Sequence, residues 1–193
     1  MLLIGLNLLH HFIFLIFLIE LYRKKDNPFK NISFTLLGLC FIAFPLSFLN
    51  FLCFQGENGY DPVLLIGYFI LLWTNDTAAY FMGSKFGEHR LFKRISPNKS
   101  WEGFFSGMVF SLISAYIISQ YIHELNSMQW LVMSVIVTLS GTYGDLVESS
   151  FKRSINFKDS GSLLPGHGGI LDRFDSLLFS APYVVFYLFM IKG

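Results

Sequence analysis

Six apolar runs divide this chain, each close to the length that crosses a bilayer. A transmembrane helix needs about 20 predominantly apolar residues. The runs Leu2–Leu21, Ile32–Phe54, Pro62–Gly83, Gly103–Ile122, Met128–Val147 and Ser176–Ile191 approximately meet that length. Inside lipid each backbone N–H and C=O must be satisfied internally, so such runs are predicted to be helices. The composition agrees: 53% of residues are hydrophobic and only 14% charged, against about 25% charged in an ordinary soluble domain. The expected fold is all-α, a polytopic transmembrane helical protein of about six spans forming one membrane-embedded domain over residues 1–193. Pro45 and Pro182 are predicted to kink the second and sixth spans. The first run has no basic stretch before it and no small-residue cleavage site after it, so it reads as a span, not a secretory signal.

The loops between the runs orient them. Tyr22–Asn31, Ser84–Glu102 and Glu148–Asp175 carry thirteen of the fourteen Lys and Arg, while Gln55–Asp61 and His123–Ser127 carry none. The positive-inside rule makes the basic side cytoplasmic and puts both termini opposite. A net charge of +1 gives no bulk electrostatic case for nucleic acid. Cys40 and Cys53 sit in apolar runs without partner spacing and read as small buried hydrophobes. No internal repeat of the kind found in secondary transporters is visible.

Against this background one polar stretch stands out, residues 144–175: GDLVESSFKRSINFKDSGSLLPGHGGILDRFD. It carries the acids Asp145, Glu148, Asp159, Asp172 and Asp175 and the bases Lys152, Arg153, Lys158 and Arg173. If the fifth span continues as a helix, Asp145, Ser149 and Lys152 share one face. A carboxylate, a hydroxyl and an ammonium on one stripe suit a Mg²⁺–phosphate complex, because hard cations take oxygen ligands. Lys152, Arg153 and Lys158 supply positive charge for phosphate oxygens, and Arg173 joins them as a substrate-binding base. The glycines of Pro165-Gly166-His167-Gly168-Gly169 let backbone N–H groups approach an anion, with His167, Gly168 and Gly169 forming the nest. A helix is predicted to begin near Ile170, with Asp172 and Asp175 on one face of its first turn. First-turn acids also suit the helix dipole, so that placement alone admits a purely structural reading.

Two earlier pieces end on the same face. Asp76, about two turns from the cytoplasmic end of the third span, is either a cation- or phosphate-site residue or an interhelical hydrogen-bond anchor. Ser96-Pro97-Asn98 reads as a turn, and Ser100 as the cap of the fourth span without a capping box. Lys99 can neutralise a phosphate or simply serve the positive-inside bias. Asn98, Lys99 and Glu102, with Asp76, are expected to complete the substrate site. No P-loop, G-x-S-x-G elbow or H-E-x-x-H motif occurs, so P-loop ATPase, serine hydrolase and zincin readings lack support. Metal-binding carboxylates, bases and a glycine turn at a lipid boundary point to phosphoryl or nucleotidyl transfer.

At these residues the chain resembles the phosphatidate cytidylyltransferases, also called CDP-diacylglycerol synthases. The resemblance is carried by Ser149-Ser150-Phe151-Lys152-Arg153, Lys158-Asp159, Pro165-Gly166-His167-Gly168-Gly169 and Asp172-Arg173-Phe174-Asp175. Asn75-Asp76-Thr77-Ala78-Ala79-Tyr80 and Ser96–Gly103 extend it, so that it covers about Leu72 to Ser180. It implies that CTP and phosphatidate, a membrane lipid, give CDP-diacylglycerol and pyrophosphate with Mg²⁺, a second cation being compatible. It implies metal-binding aspartates at Asp145 and Asp172 and catalytic positions at Ser149, Lys152 and Asp175. It further implies a homodimer, and a chain shortened at its N-terminus, since family members are usually longer. The competing expectations are a CTP-dependent polyprenol or dolichol kinase and a non-enzymatic small transporter.

Overall fold

The computed structural model describes residues 2–23, 26–54, 60–154 and 171–192, with side chains omitted at 2–9, 171–173 and 192. The described chain is helical apart from one short hairpin. Its helices are α1 (Leu2–Tyr22), α2 (Pro28–Gly38), α3 (Phe44–Cys53), α4 (Val63–Phe86), α5 (Trp101–Tyr121), α6 (Ser127–Ser154) and α7 (Leu171–Lys192). A π-helical turn, Leu39–Ala43, joins α2 to α3. It comes just before Pro45, whose missing N–H and ring disfavour the ordinary i−4 bond there. Five stretches are long and apolar enough to cross a membrane: Pro28–Cys53, Val63–Phe86, Trp101–Tyr121, Ser127–Ser154 and Phe174–Ile191. α1 is helical over 21 residues, and its portion His10–Tyr22 is apolar as well. The protein is thus a multi-pass membrane protein.

The chain forms two compact units, Met1–Phe44 and Pro45–Gly193. In the first, the carboxylate of Glu20 near the end of α1 accepts a hydrogen bond from Asn31 Nδ2 of α2 and pairs with Arg23 at 3.4 Å. Cys40 is exposed and Cys53 buried, so the expectation of two buried thiols is corrected at Cys40. An apolar thiol facing lipid carries no penalty that would force it inward.

The second unit holds the candidate site. There α4 packs on α5 and α6, and α6 packs on α7. Lipid removes the hydrophobic drive between helices, so close packing and interhelical hydrogen bonds hold the bundle. Gly103 and Gly107 let α5 approach α4. A Cβ at Gly107 would come within 2.8 Å of Asn75 Oδ1, and one at Gly103 within 2.7 Å of the Ala79 carbonyl oxygen. The Trp130 ring fills the space over Gly67, and its indole N–H donates to the Ile122 carbonyl at 3.2 Å. Tyr68 OH lies 2.6 Å from Ser180 Oγ, tying α4 to α7. Ser134 Oγ donates to Ser111 Oγ, and Ser111 Oγ to the Leu71 carbonyl, across three helices. Large apolar side chains such as Trp73, Phe81, Phe105 and Phe186 face outward, as a lipid-facing surface requires.

Between α4 and α5 the chain forms an antiparallel hairpin, β1 (Arg90–Phe92) and β2 (Ser96–Ser100), pairing Arg90 with Ser100 and Phe92 with Ser96. This corrects the reading of Ser96-Pro97-Asn98 as a turn. The chain reverses at 93–95 instead, and a two-stranded ribbon consists of edge strands, where proline is tolerated. Ser100 caps α5 as expected, accepting from the Gly103 N–H at 3.2 Å.

Candidate active site

The length of α6 sets the depth of the site. Its 28 residues span about 42 Å at 1.5 Å per residue, well beyond the roughly 30 Å hydrocarbon core. Counted from Ser127, the core ends near Leu146, so Asp145, Glu148, Ser149 and Lys152 occupy the rim turns. α7 begins at Leu171 and α4 ends at Phe86. Asp175 therefore lies near the same rim, and Asp76 about three turns inside it.

Three carboxylates converge there. One oxygen from each of Asp145, Glu148 and Asp175 lies within 4.8 Å of the others, close enough for the three to hold a metal ion. Asp145 and Glu148 are i, i+3 on α6, and α7 brings Asp175 across. Ser149 Oγ donates to Asp145 Oδ1 at 3.2 Å. Asp175 Oδ1 accepts from the Ser176 N–H at 2.6 Å and from Ser176 Oγ at 3.3 Å. The Ser176 side chain is also within hydrogen-bonding reach of Asp76. Asp76 Oδ1 accepts from Asn75 Nδ2 at 3.1 Å and lies in electrostatic range of Lys99 and Asp145.

Two ammonium groups face these acids. Lys99, carried on β2, forms an ion pair with Asp145 and donates to the Thr142 carbonyl at 3.4 Å. Lys152 Nζ lies 3.3 Å from Glu148 Oε1, one turn apart on α6. Glu148 is only 2% exposed, and burying a carboxylate at that depth is costly unless cations attend it. Among the described residues four carboxylates thus meet two ammonium groups. Three of these carboxylates put hard oxygen donors within 4.8 Å of one another, the donor set a divalent cation takes, so the residues fit such an ion.

The remaining expected positions fall into two groups. Asn98 lies within β2 and Glu102 in the first turn of α5. The Asn98 carbonyl accepts from Arg90 Nη1 at 3.4 Å, and the Glu102 carboxylate is engaged by His89. Arg153 lies in the last turn of α6. Lys158, His167, Gly168, Gly169 and the side chains of Asp172 and Arg173 lie outside the described residues. Glu148 and Ser176 are additions that the sequence reading did not place in the site. The i, i+3 spacing of Glu148 from Asp145 was a usable signal; the role of Ser176 depends on how α7 meets α4, which no local pattern gives.

Fold and site together define a class: a multi-pass membrane protein whose spans and one hairpin bring carboxylates and lysines into one cluster at the rim of the bundle. A family model described as the cytidylyltransferase family matches residues 2–191, and the chain belongs to that family. It is 37% identical over 171 residues to a protein named phosphatidate cytidylyltransferase from Staphylococcus epidermidis, covering 88% of this chain and 64% of the relative. Proteins of the same name from Staphylococcus haemolyticus and Staphylococcus aureus are 38% and 37% identical, covering 82% and 88% of this chain. The chain spans 60% and 64% of those two relatives.

Proposed function

We propose that the chain transfers a cytidylyl group from CTP to phosphatidate, yielding CDP-diacylglycerol and pyrophosphate. The observation that carries this reading is the convergence of Asp145, Glu148 and Asp175 with Lys99 and Lys152 at a membrane rim. A soluble triphosphate and a lipid phosphate can meet there. The names of the relatives support the choice of substrates.

In the reaction a phosphate oxygen of phosphatidate forms a bond to the α-phosphorus of CTP. The bond from that phosphorus to the oxygen bridging to the β-phosphorus breaks, and pyrophosphate leaves with the electron pair. Mg²⁺ held by Asp145, Glu148 and Asp175, with Asp172 as the ligand implied by the family resemblance, would supply charge neutralisation and orientation for the triphosphate. The acceptor is already an anion, so no strong general base is required of the chain. Its task is to bring two anions together and to offset their charge. Lys99, paired with Asp145, and Lys152, paired with Glu148, do this, and Ser149 orients Asp145 through its hydroxyl. Ser176 donates to Asp175 and reaches Asp76, so that it links α4 to the acid on α7. Arg153, Lys158, His167, Gly168, Gly169 and Arg173 are proposed to bind the phosphates, and Asn98 to support Lys99 on β2. A homodimer and a second cation belong to the proposal on the strength of the family resemblance.

Product identity tests it. Purified chain, phosphatidate in mixed micelles, Mg²⁺ and CTP labelled in the α-phosphate should give a labelled lipid and unlabelled pyrophosphate in equal amounts. Labelled CDP with an unlabelled lipid would instead mark a CTP-dependent lipid kinase and overturn the reading.

A further inference from the structure

We propose that Glu102 is a positioning residue: clasped by His89, it fixes the base of the hairpin to the first turn of α5 and so sets Lys99 against Asp145. The inference rests on the proposed reaction only for its kinetic readout.

β2 runs into α5 without a linker, Ser100 being the last strand residue and Trp101 the first of the helix. Four contacts close this junction on the start of the hairpin. The Trp101 N–H donates to the His89 carbonyl at 2.9 Å. The His89 N–H donates to both Glu102 oxygens, at 3.2 and 3.3 Å. His89 Nδ1 lies 2.6 Å from Glu102 Oε1. Ser100 Oγ, which caps α5, also sits so close to Gly87 that a Cβ there would approach it to 2.6 Å. Residues 87–89 and 100–103 are thereby tied together, and Lys99 is the next residue along the strand.

A lysine stem is long and flexible, so where its ammonium group rests depends on where its Cα is held. Lys99 spans from the hairpin to Asp145 and Thr142 on α6. A shift of about 1 Å at a charged group in such a site can cost on the order of a hundredfold in rate. Both Glu102 oxygens accept from His89, so this carboxylate holds the hairpin, while the lysines are the groups that face the acids of the site. The charges acting on His89 are Glu102 from α5 and Glu88 from its own turn. Its side chain is 78% exposed, so replacing it leaves the bundle core untouched.

The test combines hydrogen exchange with a double-mutant cycle on the purified full chain. In Glu102→Ala, amides of residues 90–100 should exchange on the order of tenfold faster, the loss expected for hydrogen bonds to a charged acceptor, with α6 and α7 unchanged. His89→Gln should show a smaller rise in the same segment. In activity, Glu102→Ala should lower kcat on the order of tenfold with little change in KM for CTP. On a Lys99→Ala background it should add less than about twofold, because residues acting through one another do not add. Glu102→Gln, which keeps an acceptor for the His89 N–H, should recover most of the rate. Multiplicative losses, or a raised KM for CTP with unchanged exchange in the hairpin, would show that Glu102 meets substrate itself and would overturn the proposal. If the wild type makes no CDP-lipid, the proposed reaction fails, and the exchange measurement alone decides the clasp.

Discussion

At the scale of the residue, charge at the end of α6 dominates the site. Asp145 is the pivot: it pairs with Lys99, accepts from Ser149 and shares its oxygens' neighbourhood with Glu148 and Asp175. Replacing it with Asn should reduce cytidylyl transfer about a hundredfold or more, since charge stabilisation at the reacting phosphates is usually the dominant contribution. Radiolabelled product formation measures this, with far-UV circular dichroism confirming intact helices. Asp145 and Asp175 were legible in the sequence because acids in the last and first turns of two spans are costly without a purpose. Glu148 was visible as an acid, yet its membership was missed. Helical spacing marks the stripe through Asp145, Ser149 and Lys152, and Glu148 lies beside that stripe and faces Asp175 of α7. Asp172, the other aspartate expected to bind metal, has no described side chain and stays a proposal.

At the scale of the element, close helix approach and the hairpin govern stability. Gly107→Ala would press a methyl group to 2.8 Å from Asn75 Oδ1 and 2.9 Å from the Asn75 carbonyl oxygen. The expected cost is about 1–3 kcal/mol, as for overpacking of a tight interior, read as a lowered midpoint of thermal unfolding in detergent. Tyr68→Phe removes the hydroxyl that meets Ser180 at 2.6 Å and should cost about 0.6 kcal/mol, the average for hydrogen bonds between membrane helices. The hairpin adds a pH dependence. Glu102, by hydrogen bond and by charge, raises the pKa of His89 above its ordinary value, and Glu88 adds to this. A raised folded-state pKa gives a contribution that is complete below the unfolded value and is lost as pH rises through the folded one. Exchange in residues 90–100, corrected for its intrinsic pH dependence, should therefore quicken as pH rises through that raised pKa in wild type and stay level in His89→Gln. The helices were readable from their apolar runs because lipid leaves the backbone no alternative. The hairpin was not, because its three- and five-residue strands carry too few residues for a period, and Pro97 argued for a turn.

At the scale of the whole molecule, the sidedness of charge is the organising fact. Thirteen of the fourteen Lys and Arg fall on the side that carries the polar loops, and the same side receives the ends of α4 and α6 and the start of α7. Single cysteines at Glu124 and at Arg94, in a chain with Cys40 and Cys53 replaced by Ala, should react oppositely with a membrane-impermeant maleimide. In intact cells the residue at 124 should be labelled and that at 94 protected; the reverse pattern would invert the orientation. Family membership and span order were thus accessible from the sequence, whereas the meeting of Lys99, Asp76 and Ser176 with the α6 acids needed the packed helices. Asp145, Glu148 and Asp175 together are proposed to hold a divalent cation for nucleotidyl transfer. Mn²⁺ titration of the purified chain, followed by electron paramagnetic resonance, tests this directly. Wild type should bind the ion, and Glu148→Gln should lower the affinity at least about 10-fold, since losing even a group that only supports a ligand costs that much. Asp175→Asn should lose at least as much, and His89→Gln should be unaffected. Equal Mn²⁺ affinity in wild type, Glu148→Gln and Asp175→Asn would contradict the account.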